Sequence, residues 1–293
     1  MAVALAAALN VIFAGFGFAQ AGKSEFLIQV RDASGAVVPG AAVTLTESQT
    51  NQEITSTSGS DGFCTFSLVK PGTYAVQVNA PNFRPFRQEG VRLATGERVR
   101  LDVTVTLGPV TESIAVHADA PVLRTESATL GQLIDQRTVR DLPLKNRDFI
   151  SLLSLSPGVA LPPGSALPRI NGGRPRVNEY LYDGVSVLQP EPGQVAFFPI
   201  IDAIQEFKIE TNSPSAEFGR FSGGVINLST KSGTNDVHGS VFKFFRNEVL
   251  NARNLFAPAT EAEPNKPVFR RNQYGFVLGG PVVRKQTFFF GDY

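Results

Sequence analysis

Apolar and polar residues alternate in four stretches of the first third of the chain. Phe26, Ile28 and Val30 interleave with Leu27, Gln29 and Arg31, and Val43 and Leu45 with Thr44 and Thr46. Tyr74, Val76 and Val78 interleave with Ala75, Gln77 and Asn79, and Leu101, Val103, Val105 and Leu107 with Asp102, Thr104 and Thr106. A period of two sends one set to a core and the other to solvent. Asp32-Ala33-Ser34-Gly35, Pro39-Gly40, Asp61-Gly62 and Pro71-Gly72 supply turns between the runs. Strands at this spacing predict a small antiparallel sandwich over about Lys23 to Gly108.

Gly108-Pro109 breaks the last strand, and a mixed region follows. Asn146 is placed to cap a helix from Arg147 to about Ser154, with Phe149, Leu152 and Leu153 at helical spacing and Pro157-Gly158 ending it. A second short helix is predicted near Pro199, carrying Ile200, Ile201, Ala203 and Ile204. The strand Glu206 to Thr211 comes next, with Phe207 and Ile209 inward and Lys208 and Glu210 outward. Ile226, Leu228 and Thr230 form another alternating run, closed by Ser232-Gly233-Thr234-Asn235. Helix running into strand suits a compact α/β unit.

Beyond Asp236 the pattern changes again. Gly239 to Arg246 reads as a strand, although Val241 and Phe245 fall opposite Phe242 and Phe244. A polar stretch from Asn247 to Arg271 suits a loop. Tyr274, Phe276 and Leu278 alternate with Gly275, Val277 and Gly279, and Gln286 to Tyr293 reads as a third strand ending in an aromatic belt. A soluble β-meander is the other reading of these residues.

The first 21 residues carry no charge, with an apolar run from Val3 to Phe18 and Ala19-Gln20-Ala21 as a small-x-small site. They read as a secretory signal cleaved near Ala21-Gly22. The basic residue expected near the start is missing, so an uncleaved anchor or a misplaced start codon stays open. No later run reaches the ~20 apolar residues of a membrane helix, so any further membrane contact must come from strands.

Composition removes several functions. Hydrophobic residues at 42% and charged residues at 18% permit a core. A formal charge of +1 gives no basic field for nucleic acid. The single cysteine, Cys64, precludes an intrachain disulfide and reads as a small buried hydrophobe. The two histidines, His117 and His238, begin no ligand motif, so neither a metal site nor a zinc-peptidase centre is expected. No nucleophile elbow, P-loop or dinucleotide fingerprint occurs, no cofactor is implied, and Gly172-Gly173 and Gly223-Gly224 read as turn glycines. An enzyme is not expected.

Resemblance adds to this pattern. The spaced blocks PGAAVTL, DGFCTF and KPGTYAVQV are similar to the carboxypeptidase-regulatory-like domain, a transthyretin-like sandwich of the carbohydrate-binding-like group. LPLKNRDFISLLSLSPGV, INGGRPRVNEYLYDGV, the stretch from Ile201 to Asn247 and RRNQYGFVLGGPVVRKQTFFFGDY resemble successive motifs of TonB-dependent receptors, in particular the Oar-like group. The fold class implied is mainly β and multidomain: signal 1–21, sandwich 22–108, α/β plug 109–235, then the first strands, 236–293, of an incomplete outer-membrane β-barrel. Thr111, Glu112, Ser113, Ile114, Ala115 and Val116 resemble a TonB box, the segment gripped by the inner-membrane energy-coupling protein through strand addition; an ordinary linker or edge strand is the other reading.

Asn171, Gly172, Gly173, Arg174, Tyr182, Asp183 and Gly184 match the plug's NGGRP and DG segments. The resemblance implies structural roles for them, in turn geometry and polar contacts to the barrel wall. A ligand contact by the loops 174–178 and 188–194 is a separate hypothesis: unchanged ligand affinity on substituting Arg174 in a full-length receptor would refute it.

The implied setting is the outer membrane of a Gram-negative-type bacterium with periplasmic N-terminal domains. The implied partners are a TonB-like coupling protein, outer-membrane lipid and an unidentified glycan, peptide or protein ligand. A secreted or periplasmic carbohydrate-binding or adhesion module is the alternative. Receptors of this class close about 22 strands, each with about 9–11 residues in the membrane. Only 58 residues follow Asn235. Three strands cannot close, and an open edge in lipid leaves backbone groups unpaired at a cost of several kcal/mol each. The sequence therefore reads as the N-terminal part of a receptor, not competent for transport alone.

Overall fold

The computed structural model describes residues 24–108, 114–116 (backbone only), 128–142, 144, 147–163, 165, 167–189, 193–219, 221–252 and 268–293. The expected signal, His117 and the expected cap Asn146 lie outside them. Among the described residues no helix is long and apolar enough to cross a membrane, which says nothing of crossing by strands.

The first unit is a two-sheet sandwich of β1 (Ser24–Asp32), β2 (Ala42–Glu47), β3 (Glu53–Thr57), β4 (Phe63–Val69), β5 (Gly72–Asn79), β6 (Phe86–Leu93) and β7 (Arg98–Val105), joined at its edge by β8 (Ile114–Val116). One sheet has the order β4-β1-β7 and the other β3-β2-β5-β6-β8. The alternating residues of the sequence form its core: Phe26, Ile28, Val43, Leu45, Val76 and Val78 have no exposed surface. Phe26 meets Tyr74 edge to face at 5.5 Å. Truncating a buried phenylalanine of this kind costs about 3–5 kcal/mol.

Two expectations need correction. The sandwich is mixed rather than antiparallel, because β7 runs parallel to β1, with Ile28 opposite Leu101 and Val30 opposite Val103. Leu107 stands beyond the end of β7 and is largely exposed.

The middle unit comprises β9 (Leu130–Ile134), α1 (Gln136–Asp141), α2 (Ile150–Leu153), β10 (Val159–Ala160), β11 (Arg169–Ile170), β12 (Glu179–Tyr182), β13 (Val185–Ser186), β14 (Ile204–Asn212) and β15 (Val225–Thr230). Its main sheet has the order β13-β12-β15-β14-β9, with β12 parallel to β15 and the other pairs antiparallel. Phe149, Leu153, Ile204, Phe207, Ile209, Ile226 and Leu228 form a core of its own.

Helix α1 was not anticipated. Asp135 caps it, accepting from Thr138 N at 2.9 Å and Thr138 Oγ1 at 2.6 Å, and these bonds hold its carboxyl below the usual carboxylate range. Helix α2 is shorter than expected, and Asp148 Oδ1 takes the Ser151 N–H at 3.0 Å at its start. The expected helix near Pro199 is a single 3-10 turn, Ile201–Ala203; Ile204 already belongs to β14.

The last unit is an antiparallel sheet of β16 (His238–Asn247), β17 (Arg270–Val283) and β18 (Thr287–Asp292). Val241 pairs with Phe276, Lys243 with Tyr274 and Phe242 with Gly275. Cross-strand partners share a face, so the irregular alternation of β16 resolves into two distinct faces. One carries Val241, Phe245, Tyr274, Phe276 and Leu278, all exposed, with Val241 at 87%, and the exposed Lys243 among them. The other carries Phe242, Phe244, Gly275 and Val277 and turns toward the middle unit, where Phe242 and Phe244 meet Arg147.

Candidate functional site

The NGG segment is a tight turn after β11. Asn171 (φ 50°) and Gly172 (φ 75°) are both left-handed, and Gly173 N donates to Ile170 O at 2.9 Å. Asparagine and glycine are the residues that occupy this region at least cost. The turn is fastened at two points: Asn171 N donates to Gly158 O at 2.8 Å, and Asn171 Nδ2 to Thr211 O, at the end of β14, at 2.6 Å. Arg174 is exposed at its rim.

Four residues on, Asn178 is buried; its Nδ2 donates to Pro168 O at 2.8 Å and its Oδ1 accepts from Gly224 N at 3.1 Å. A Cβ on Gly223 would stand 2.2 Å from Asn178 Oδ1. The Gly223-Gly224 pair therefore permits close approach of chains, where the sequence suggested a turn.

The DG segment makes the two-residue hairpin between β12 and β13. Asp183 (φ 48°) and Gly184 (φ 84°) both have the positive φ that a type I′ turn needs. Asp183 also ties this turn to β15: its Oδ1 accepts from Thr230 N at 2.9 Å and its Oδ2 from Thr230 Oγ1 at 2.6 Å. Beside it, Tyr182 OH donates to Phe197 O at 3.1 Å, and its ring packs edge-on against Phe197 at 5.0 Å and Phe149 at 6.3 Å. Burial pushes this phenol well above its ordinary range.

A second constellation lies where the sandwich meets the middle sheet. Glu206 in β14 is 4% exposed. Its Oε1 accepts from Thr95 N at 2.6 Å and Thr95 Oγ1 at 2.9 Å, and its Oε2 from Arg92 Nη2 at 3.1 Å. Thr95 Oγ1 is 2.9 Å from Ser229 Oγ, and Lys208 Nζ donates to Gly96 O at 2.9 Å while pairing with Glu210 at 2.9 Å. The face of β14 expected to be outward is thus buried, because the β6–β7 turn of the sandwich covers it. Among the described residues Glu210 Oε2 and Asn227 Oδ1 have no hydrogen-bond partner on this face.

The two bodies meet again at Asn235, whose N and Nδ2 both reach Gln49 O at 3.1 Å and whose Oδ1 accepts from Lys285 N at 2.7 Å. A cleft of about 1580 Å³, lined by Gln49, Tyr74, Arg92, Glu206, Lys231 and Phe289 among others, opens between these contacts.

Arg147 links the middle unit to the last sheet. Its guanidinium is ion-paired with Asp202 and lies 3.7 Å from the centroid of the Phe244 ring and 5.4 Å from that of Phe242. Lys231 Nζ donates to Asp202 O at 2.6 Å, and burial lowers its pKa.

Of the TonB-box-like residues, Thr111, Glu112 and Ser113 lie outside the described residues. Ile114, Ala115 and Val116 extend the sandwich sheet as β8, parallel to Phe86, Arg87 and Gln88 of β6. The residues of the NGG and DG turns are on the middle unit, and the bonds of Asn171 and Asp183 go to that unit's own strands. Thr95, Glu206 and Arg147 were not singled out from the sequence, because their partners lie on distant segments.

Two segments are similar to known domain families. Residues 27–106 match the carboxypeptidase regulatory-like domain, and residues 229–293 an outer membrane beta barrel domain. The TonB-dependent transporter Oar of Myxococcus xanthus is 27% identical over 98% of this chain, which spans 28% of that protein's length. The siderophore receptor PirA of Acinetobacter baumannii is 21% identical over 56% of the chain and 24% of its own, with a TM-score of 0.41. The outer membrane transporter YddB of Escherichia coli is 19% identical over 51% of the chain and 24% of its own, also with a TM-score of 0.41.

Proposed function

We propose that this chain, an Oar-like relative of the TonB-dependent receptors and an outer-membrane protein, carries the periplasmic sandwich (22–108), the plug (109–235) and the first wall strands (236–293) of a receptor for energy-coupled transport. One observation carries the reading. The β16–β18 sheet has an exposed, mainly apolar face of Val241, Phe245, Tyr274, Phe276 and Leu278 with one charge, Lys243, among them, and an opposite face that meets the middle unit through Arg147. A wall strand needs lipid on one side and lumen contents on the other. A free-standing soluble meander would leave that apolar face in water.

Three strands do not close a barrel, so the transport meant is that of a wall completed by further strands. The turns at Asn171–Arg174 and Tyr182–Gly184 shape the plug. The cargo, a glycan, peptide or protein, is captured at the cell surface, and the plug shifts when a TonB-like protein pulls on residues 111–116. The extended pairing of Ile114–Val116 supports the last role, because strand addition recognises this backbone shape. A photo-crosslinking residue placed in turn at positions 111 to 116 of the receptor in living cells should give an adduct with the energy-coupling protein. No adduct at any of the six positions would remove the coupling role.

A further inference from the structure

The sandwich and the middle unit bury separate apolar cores. One runs from Phe26 to Val105 and the other from Ile134 to Leu228, and no residue belongs to both. Hydrogen bonds and an ion pair join the bodies: Thr95 and Arg92 on Glu206, Thr95 on Ser229, Gly96 on Lys208, and Gln49 on Asn235. The wide cleft opens between these two points of contact.

The fit at the first is close. Gly96 has φ 63°, and a Cβ there would lie 3.3 Å from Asn227 Nδ2 and 3.6 Å from Lys208 Cδ. Thr95 and Ser229 are almost fully buried by the contact. Such a joint is specific when closed. On opening, water can satisfy each of these groups and neither apolar core is split, which favours a reversible joint. The connection from the end of β8 to the start of β9 is 13 residues, so it can span about 40 Å when extended. The units can therefore part without unfolding.

We propose that the sandwich is a detachable latch on strands β14 and β15, and that it undocks from them while both units stay folded. Closed, it pins Glu206 and Ser229 from outside the sheet and holds the polar face of the middle unit against movement. Open, it frees that face and moves β8 away with the sandwich. The consequence for transport rests on the plug reading above; the latch itself does not.

Cys64 is buried in the sandwich core and is the chain's one cysteine, so its reaction with a maleimide reports unfolding of the sandwich. A Ser229→Cys thiol in a Cys64→Ala background reports exposure of the covered strand instead. In the detergent-solubilised chain the Ser229→Cys thiol should label at least about 100-fold faster than wild-type Cys64, the signature of sub-global opening. Glu206→Gln should quicken the Ser229→Cys thiol about tenfold or more and leave Cys64 unchanged. Thr95→Cys in the same background reads the opening from the sandwich side, and keeps the test valid should Ser229→Cys fail to fold. Equal rates at the seam and at Cys64, or equal acceleration of both by Glu206→Gln, would overturn the latch. The labelling reads undocking whether or not the chain transports anything, so failure of the transport reading is separable from failure of this one.

Discussion

Arg147→Ala should be among the most damaging single changes in the middle unit. The arginine side chain is 18% exposed and Asp202 21%, so the pair is largely shielded from water. Exposed pairs contribute about 0–1 kcal/mol, whereas breaking a buried one costs about 3–5 kcal/mol. At this burial we expect about 2–3 kcal/mol for the pair. The guanidinium also stacks on Phe244 at 3.7 Å, worth about another 0.5–1 kcal/mol against a ring that is 42% exposed. The total for Arg147→Ala is then about 2.5–4 kcal/mol. Arg147→Lys keeps the charge but not the flat stacking surface and should lose about half as much.

The assay is a double-mutant cycle of Arg147→Ala with Asp202→Asn in detergent, followed by denaturant. The chain has no tryptophan, so unfolding is followed by tyrosine emission in a Tyr74→Phe background, where Tyr180 and Tyr182 are the buried tyrosines among the described residues. A coupling of at least about 1.5 kcal/mol is expected. A coupling below about 0.5 kcal/mol, or an Arg147→Ala loss that small, would refute the Arg147–Asp202 pair as a shielded ion pair that holds the guanidinium in place.

Asp183→Ala should cost about 2–4 kcal/mol, since it removes both acceptors of Thr230 and puts alanine at φ 48°; Asp183→Asn, which tolerates that backbone, should lose less in the same unfolding assay. Gly223→Ala should cost about 1–3 kcal/mol, because its Cβ would meet Asn178 Oδ1 at 2.2 Å and Val177 O at 2.9 Å; a neutral melting temperature would contradict the close approach. Burial lowers the pKa of Lys231 below its ordinary 10.5. The unfolded chain then binds more protons between the folded pKa and 10.5, so stability should rise with pH across that window. Lys231→Met should flatten the rise, and melting curves from pH 8 upward would show it; an unchanged slope would contradict the assignment.

The strands were legible because alternation at Phe26-Ile28-Val30 or Tyr74-Val76-Val78 is a one-dimensional signal. The direction of β7 was not, since parallel and antiparallel neighbours leave the same alternation in each strand. Glu206, Lys208 and Glu210 show how a local pattern fails: a polar face looks solvent-facing whether water or another unit's polar turn covers it. Only the approach of Thr95, more than a hundred residues earlier, decides between them. Asp183-Gly184 was readable, because a two-residue turn with both φ positive restricts residue choice locally. Asn178 was not, because its partners Pro168 and Gly224 lie on separate segments. Val241 and Phe245 opposite Phe242 and Phe244 looked like a broken alternation. Two apolar faces with different neighbours account for it.

Lipid contact of the β16–β18 sheet tests the central claim most directly. Single cysteines in a full-length receptor carrying Cys64→Ala, at Val241 and Phe276 on one face and at Ser240 and Gln273 on the other, would be probed in outer membranes with a membrane-impermeant maleimide and a lipid-phase photoreagent. The account predicts that positions 241 and 276 react in the lipid phase and resist the aqueous reagent, while 240 and 273 escape the lipid reagent. Aqueous labelling of 241 and 276 at the rate of an exposed loop would contradict it.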